Sequence, residues 1–289
     1  MPPETYTKKS DDSQPKFTQE SPLVARQESL FHAPLNMLQK RMDASRLCVV
    51  VPTYNNQKTL AGVINDILKY TSNVIVVNDG STDNTADILN DFSKDIRVVS
   101  YMPNRGKGYA LKRGFDEAEK CGYRGAVTVD SDGQHFASEI ERFVEYAEKY
   151  PDALLLGQRT TEGNMPTKNS FANKFSNFWF AVQTAYRFSD TQNGFRLYPL
   201  SAMKGLRPVS SRYEAELEIL VRSAWRGIKI APVSTRVYYP PEGERVTHFR
   251  PGKDFFRISV LNTLFTLLAI VYGYPSMLFH RLFSKKRSS

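Results

Sequence analysis

Between Arg46 and Gly157 the chain alternates short, wholly apolar runs with amphipathic stretches. Leu47-Cys48-Val49-Val50-Val51-Pro52 is a continuous apolar run, the mark of a strand covered on both faces. From Thr59 to Tyr70, Leu60, Val63, Ile64, Ile67 and Leu68 fall on one helical stripe. Asn73 to Val77 reads as a second buried strand, closed by Asn78-Asp79-Gly80-Ser81, and Thr82 to Thr85 caps a helix reaching Phe92. A third strand at Arg97–Tyr101, a third helix at Gly106–Lys120 and a fourth strand at Gly125–Val129 follow. A helix over Ser138–Tyr150 and a strand at Ala153–Gly157 continue the series. Alternation at this spacing predicts an α/β fold with a mostly parallel sheet and right-handed crossovers.

The pattern changes on either side of this region. Residues 1–45 are expected to form a largely flexible extension, polar at its start and without the apolar core of a signal peptide. Within it, Ser29 to Leu38 is a short amphipathic segment able to pack on the domain or a membrane. Residues 46–257 make the central domain, including an aromatic-rich stretch from Thr160 to Arg187 and a helix over Ser211–Arg226. In the last part, residues 258–289, Ile258 to Phe279 is almost uninterrupted apolar sequence. About 20 such residues would suffice for one crossing. Gly273 and Pro275 break the run, Asn262 and Thr263 are polar, and basic residues flank both ends. The expectation is a helix or re-entrant hairpin embedded from the cytoplasmic side of a membrane, its basic flanks on anionic lipid.

Composition narrows the partners. The 289 residues are 41% hydrophobic, enough for one sizeable core. The formal net charge of +9 favours anionic partners such as nucleotide phosphates or an acidic membrane surface. Two distant cysteines, Cys48 and Cys121, argue against a disulfide framework, and no Cys/His spacing suits structural zinc. A nucleic-acid-binding protein fits the charge but not the acids at the strand ends, so nucleic acid is not expected as a partner.

The candidate chemistry lies where strands end. Asp130 and Asp132 stand one residue apart at the end of the fourth strand, and Asp79 follows the second. Open α/β sheets bind ligands at this carboxyl edge. Paired acids there can share a hard divalent cation, which prefers oxygen ligands. Lys107 sits in a Gly-flanked loop leading into a helix, a position suited to reaching phosphate.

Pro52-Thr53-Tyr54-Asn55, Asn78-Asp79-Gly80-Ser81 and Asp130-Ser131-Asp132 together resemble the family 2 glycosyltransferases of GT-A fold. Within that family the chain is most similar to dolichyl- and polyprenyl-phosphate sugar transferases. Asn104-Arg105-Gly106-Lys107-Gly108, Gln134-His135, Gly157-Gln158-Arg159 and Asp190-Thr191-Gln192-Asn193-Gly194-Phe195-Arg196 add to the likeness, which covers roughly Arg46 to Ile258. The resemblance implies an inverting, metal-dependent transfer of a sugar from a nucleoside-diphosphate sugar, of the GDP-mannose or UDP-glucose type, to a polyprenyl phosphate or other membrane lipid. It implies Mg²⁺ or Mn²⁺ on Asp130, Asp132 and Gln134. Donor contacts are expected from Pro52, Tyr54, Asn55, Asp79, Lys107, Asp130 and Ser131.

Asp190 is the candidate contact to the donor sugar or the acceptor nucleophile, and Asp132, Arg159 and Arg196 complete the catalytic set. Arg159 and Arg196 are also expected on the acceptor phosphate, for which guanidinium forks are suited. An acceptor phosphate is already ionised at neutral pH, so Asp190 would orient rather than deprotonate it. Glu214 and Glu216 resemble the family's paired acids near the sugar; helix N-terminal charges read equally well there. After Tyr239 the usual Gly/Ser/Lys loop is replaced by a segment carrying Arg245, His248, Arg250 and Lys253, read here as a phosphate-clamping lid with Arg250 and Lys253 on the acceptor. That departure leaves a non-lipid glycan acceptor as an alternative. A sugar-phosphate nucleotidyltransferase is the alternative of another class, although Pro52 to Lys58 lacks its Gly-rich phosphate loop. Homo-oligomerisation stays open.

Overall fold

The computed structural model describes residues 37–159, 167–206, 208–238 and 251–284. Seven strands form one sheet: β1 (Leu47–Thr53), β2 (Val74–Asp79), β3 (Arg97–Tyr101), β4 (Gly125–Thr128), β5 (Leu154–Arg159), β6 (Arg196–Tyr198) and β7 (Ile230–Thr235). Their order is β3-β2-β1-β4-β6-β5-β7, and every pairing is parallel except those of β6. β1 and β2 are buried along their full length, as an unbroken apolar run requires.

Alternate residues of these strands feed two cores. Val49, Val51, Val76 and Val127 face α1 (37–45), α2 (Leu60–Leu68) and α5 (Ile140–Lys149). Cys48, Val50, Ile75, Val77 and Ala126 face α4 (Lys107–Lys120), α7 (Glu214–Trp225) and α8 (Pro251–Leu268). The remaining helices are α3 (Thr85–Asp91), α6 (Thr167–Thr184) and α9 (Tyr274–Ser284).

Three expectations change. Residues 37–45, read as part of a flexible extension, are a helix of the domain. Leu38 and Met42 enter the core, Gln39 bonds Thr71, Ser72 and Asn73, and Arg41 pairs with Glu141 and Glu148. The rest of the expected extension lies outside the described residues. β6 and β7 were not legible: β6 is only three residues long, and β7 is an edge strand carrying exposed Pro232, tolerated where no ladder partner is needed.

The re-entrant hairpin gives way to one helix without reversal. A π-helical segment, Ala269–Gly273, joins α8 to α9 and absorbs the Gly273/Pro275 interruption, so Phe256–Phe283 runs as 28 continuous helical residues. It is long and apolar enough to cross a membrane, yet it packs along α6 and α7. Its polar residues explain why. Gln183, buried in α6, donates to the carbonyl of Asn262 at 3.1 Å and to its Oδ1 at 3.2 Å. Ser276 donates to the carbonyl of Trp225 at 2.8 Å, and Tyr274 to that of Val182. A Cβ on Gly273 would fall 2.4 Å from the Trp225 indole nitrogen, so only glycine permits this approach. The opposite face leaves Leu264, Leu267, Ile270, Val271, Leu278 and Phe279 exposed.

The contact between α4 and α7 is equally close. A Cβ on Gly108 would lie 2.3 Å from Ala215 Cβ, whereas one on Gly62, mid-helix in α2, meets nothing within 4 Å. Gly108→Ala should therefore destabilise by about 1–3 kcal/mol through overpacking, while Gly62→Ala should stabilise by about 0.5–1 kcal/mol. Urea midpoints at constant m-value separate the two; equal shifts would contradict this packing.

Candidate active site

The carboxyl edge of the sheet gathers the ends of β2, β1, β4 and β5 with the start of antiparallel β6. Neighbouring strands lie about 4.8 Å apart, so Asp79 and Arg159 each stand roughly 10 Å to either side of the end of β4. Between them is a half-buried charge cluster. Lys107 Nζ, at the first turn of α4, lies 2.7 Å from Asp130 Oδ1 and 3.0 Å from Glu216 Oε2, in the first turn of α7. Burial opposes the ammonium's charge, but the Asp130 and Glu216 carboxylates outweigh it and raise its pKa. Gly194 leaves room for this pair: a Cβ there would fall 2.5 Å from Asp130 Oδ2 and 3.0 Å from Lys107 Nζ.

Asp130 and Asp132 differ in environment. Burial opposes ionisation of Asp130, but Lys107 and His135 overcome it and hold its pKa low. For Asp132, burial raises the pKa and the neighbouring Asp130 charge raises it further. Asp132 Oδ1 accepts the backbone N–H of Gln134 at 3.0 Å. Two hard-oxygen carboxylates in an electron-rich corner suit a divalent cation, whose charge would relieve their repulsion. Among the described residues, no group of three or more His, Cys, Asp or Glu side chains is placed to hold a metal. These two acids therefore fit a cation shared with substrate oxygens rather than one caged by protein alone.

Several sequence candidates carry structural contacts. Asp79 is 2% exposed. Its Oδ1 accepts Arg105 N–H at 2.8 Å, and its Oδ2 accepts Gly106 N–H and Asn104 Nδ2 at 2.8 Å each. It shapes the loop that launches α4 and so positions Lys107. Ser131 is likewise buried, its hydroxyl accepting from Asn56 Nδ2 at 2.6 Å and its carbonyl from Thr59 Oγ1 at 2.6 Å. It latches the β1 loop to the acid pair.

Arg196, expected on an acceptor phosphate, is 1% exposed. Its guanidinium donates to the carbonyls of Asn193, Glu216 and Thr191 at 2.7, 2.8 and 2.9 Å. A fork already spent on three carbonyls ties the 191–196 loop to α7. Pro52 is buried within β1, opposite Val77. Tyr54 and Asn55 are half-buried on the loop beyond, where Asn55 takes a left-handed φ of 51° and exchanges hydrogen bonds with Ser81 and Thr82.

The Arg159 and Asp190 candidates come together as one unit. Arg159 donates from Nε to Asp190 Oδ2 and from Nη2 to Oδ1, the latter at 2.8 Å. Gln158 clamps the backbone of Asp190 from both sides, donating to its carbonyl and accepting its N–H, each at 2.9 Å. Asn173 and Asn177 of α6 hold the adjacent Ser189 carbonyl. These supporting amides were missed; the one signal for them was the asparagines punctuating the aromatic stretch. His135 accepts Asp130 N–H at Nδ1 and stacks on Phe195. Arg245, His248 and Arg250 lie outside the described residues, as does the side chain of Lys253, whose backbone belongs to α8.

Comparison with known proteins places this geometry. The profile of the family described as glycosyl transferase family 2 matches residues 48–205. A UDP-N-acetylglucosamine–dolichyl-phosphate N-acetylglucosaminyltransferase of Methanococcus voltae is 27% identical over 74% of this chain and 94% of its own. A dolichyl-phosphate beta-glucosyltransferase of Dictyostelium discoideum is 28% identical over 75% of each chain. Among solved structures, glucosyl-3-phosphoglycerate synthase from Mycobacterium tuberculosis, crystallised with Mn²⁺, UDP and phosphoglyceric acid, superposes with a TM-score of 0.61. It is 21% identical, covers 81% of both chains, and shares the fold.

The raised pKa of Asp132 has a testable sign. The folded state binds the extra proton between the ordinary carboxylate pKa and the raised one, so stability falls as pH climbs through that window. Asp132→Asn keeps the Gln134 hydrogen bond and removes the titration. Without metal at neutral pH the variant should melt roughly 2–4 °C above wild type, equivalent to about 1 kcal/mol. The gap should close below the ordinary carboxylate range. A gap that instead widens toward acid pH would contradict the assignment.

Proposed function

The chain belongs to glycosyl transferase family 2, and from that premise we propose that it transfers a sugar, with inversion, from a nucleoside-diphosphate sugar to a polyprenyl phosphate at the cytoplasmic face of a membrane. Asp130, Asp132 and Gln134 would hold Mg²⁺ or Mn²⁺, which when bound would supply counter-charge to the donor diphosphate. Tyr54, Asn55 and Pro52 border the nucleotide. An ionised acceptor oxygen attacks the anomeric carbon; its bond to that carbon forms as the carbon–oxygen bond to the diphosphate breaks. The electron pair leaves with the nucleoside diphosphate. Lys107, already held between two carboxylates, offers a fixed positive charge near the departing oxygens and needs no reorganisation.

The Arg159–Asp190 pair serves the acceptor side. A carboxylate bound bidentately by arginine is a poor base, which suits a phosphate nucleophile that has no proton to lose. Lys253 and Arg250, near the start of α8, are the proposed further contacts to that phosphate.

One observation carries the choice of a membrane acceptor. The Phe256–Phe283 helix directs Asn262, Ser276 and Tyr274 to the domain and most of its large apolar residues outward. A helix anchored this way can lie in the membrane interface without leaving the catalytic domain. The relatives that act on dolichyl phosphate support the same acceptor class.

The test is a panel of nucleotide sugars with membrane lipid extract and Mg²⁺ or Mn²⁺, comparing wild type with Asp132→Ala. The expected result is an organic-extractable product whose formation falls by roughly 10²-fold or more in the variant. A product confined to the aqueous phase would overturn the lipid acceptor, and metal-dependent transfer undiminished in Asp132→Ala would overturn the metal site.

A further inference from the structure

The opposite edge of the sheet carries a cavity remote from the acid pair. This cavity, of about 710 Å³, opens where β4, β5 and β7 begin and β6 ends. The strands are four to six residues long, so it lies roughly 13–20 Å from the acid pair. Arg124, Lys149, Arg226 and Lys229 line it, and Asp152 is the single acid among its described lining residues. None of the four cations forms an ion pair among the described residues. Lys229 Nζ rests 3.6 Å above the ring centroid of half-exposed Tyr150, and Arg226 spends one N–H on the Lys204 carbonyl. Four exposed cations around a single acid give this rim a positive charge, which would attract a multivalent anion.

The end of the apolar helix reaches this rim. A Cβ on Gly227, between Arg226 and Lys229, would fall 2.8 Å from His280 Cβ of α9. On the same turns Phe279, Leu282 and Phe283 are more than half exposed. Side chains suited to acyl chains thus lie beside cations suited to phosphate, which is the chemical order of a phospholipid.

We propose that this cavity binds a phosphate-bearing anion and that its occupant is the headgroup of an anionic phospholipid, which pins the distal end of the helix to the membrane. The choice of lipid rests on the membrane reading above; the phosphate chemistry of the cavity does not.

The full-length chain is sedimented with phosphatidylcholine vesicles with and without phosphatidylglycerol. Wild type is compared with Lys149→Gln/Lys229→Gln and with Lys40→Gln/Lys94→Gln, which removes the same charge from exposed positions elsewhere. In parallel, melting is compared in inorganic phosphate and in chloride at equal ionic strength.

The cavity pair should lose roughly tenfold of the preference for phosphatidylglycerol, with the control pair changing it less than about twofold. Binding to neutral vesicles and transfer to a detergent-dispersed acceptor should be unchanged. If wild type sediments with neither vesicle, the membrane reading fails. A phosphate-induced rise in Tm that only the cavity pair loses would then make the cavity a free-phosphate site and reject the headgroup. Equal loss of preference in both pairs, or no difference between the cavity pair and wild type in either assay, overturns the site.

Discussion

A single half-buried ammonium organises the active edge of this protein. Lys107 cannot be desolvated without counter-charges, and its two come from distant elements, Asp130 at the end of β4 and Glu216 in the first turn of α7. Removing one partner of such a cluster leaves an uncompensated buried charge, which is far costlier than the cluster itself. The close glycine contacts follow from it. Gly108 lets α4 approach α7, and Gly194 leaves the space in which Lys107 and Asp130 meet. Asp79 belongs to the same construction, because the backbone it holds at Arg105 and Gly106 is the launch point of α4.

The arrangement explains why residues with the signature of ligand contacts also carry scaffold hydrogen bonds. A carboxylate at a strand end meets the unpaired N–H groups of the following loop, and satisfying them is as strong a demand as binding a substrate. Asp79 answers that demand completely. Arg196 does the same for three carbonyls, and Ser131 for the loop after β1. The proposed chemistry draws most on the Asp130/Asp132 pair with its two different environments, Lys107, and the Arg159–Asp190 unit.

The carboxyl-terminal helix follows the same logic at a larger scale. Its polar residues argued against a membrane crossing when viewed along the sequence. In three dimensions Asn262, Tyr274 and Ser276 bond α6 and α7, while Leu264, Leu267, Ile270, Val271, Leu278 and Phe279 form an outward surface. Polarity here specifies which side of the helix belongs to the domain.

Local pattern alone determined the strands from β1 to β5, most of the helices between them, and the family motifs. Each of these is written in consecutive residues, as an apolar run, a 3.6-residue stripe or a turn sequence. Tertiary structure decided the rest. β6 is an antiparallel insertion of three residues whose stability comes from neighbours on both sides. Helix α1 is claimed by the core through Leu38 and Met42. The roles of Asp79, Arg196 and Asp190 depended on which donors and acceptors the fold brought against them. A sequence names the ionisable group, but its partners are set by strand order and helix approach, and those partners decide whether the charge is spent on the scaffold or kept for a substrate.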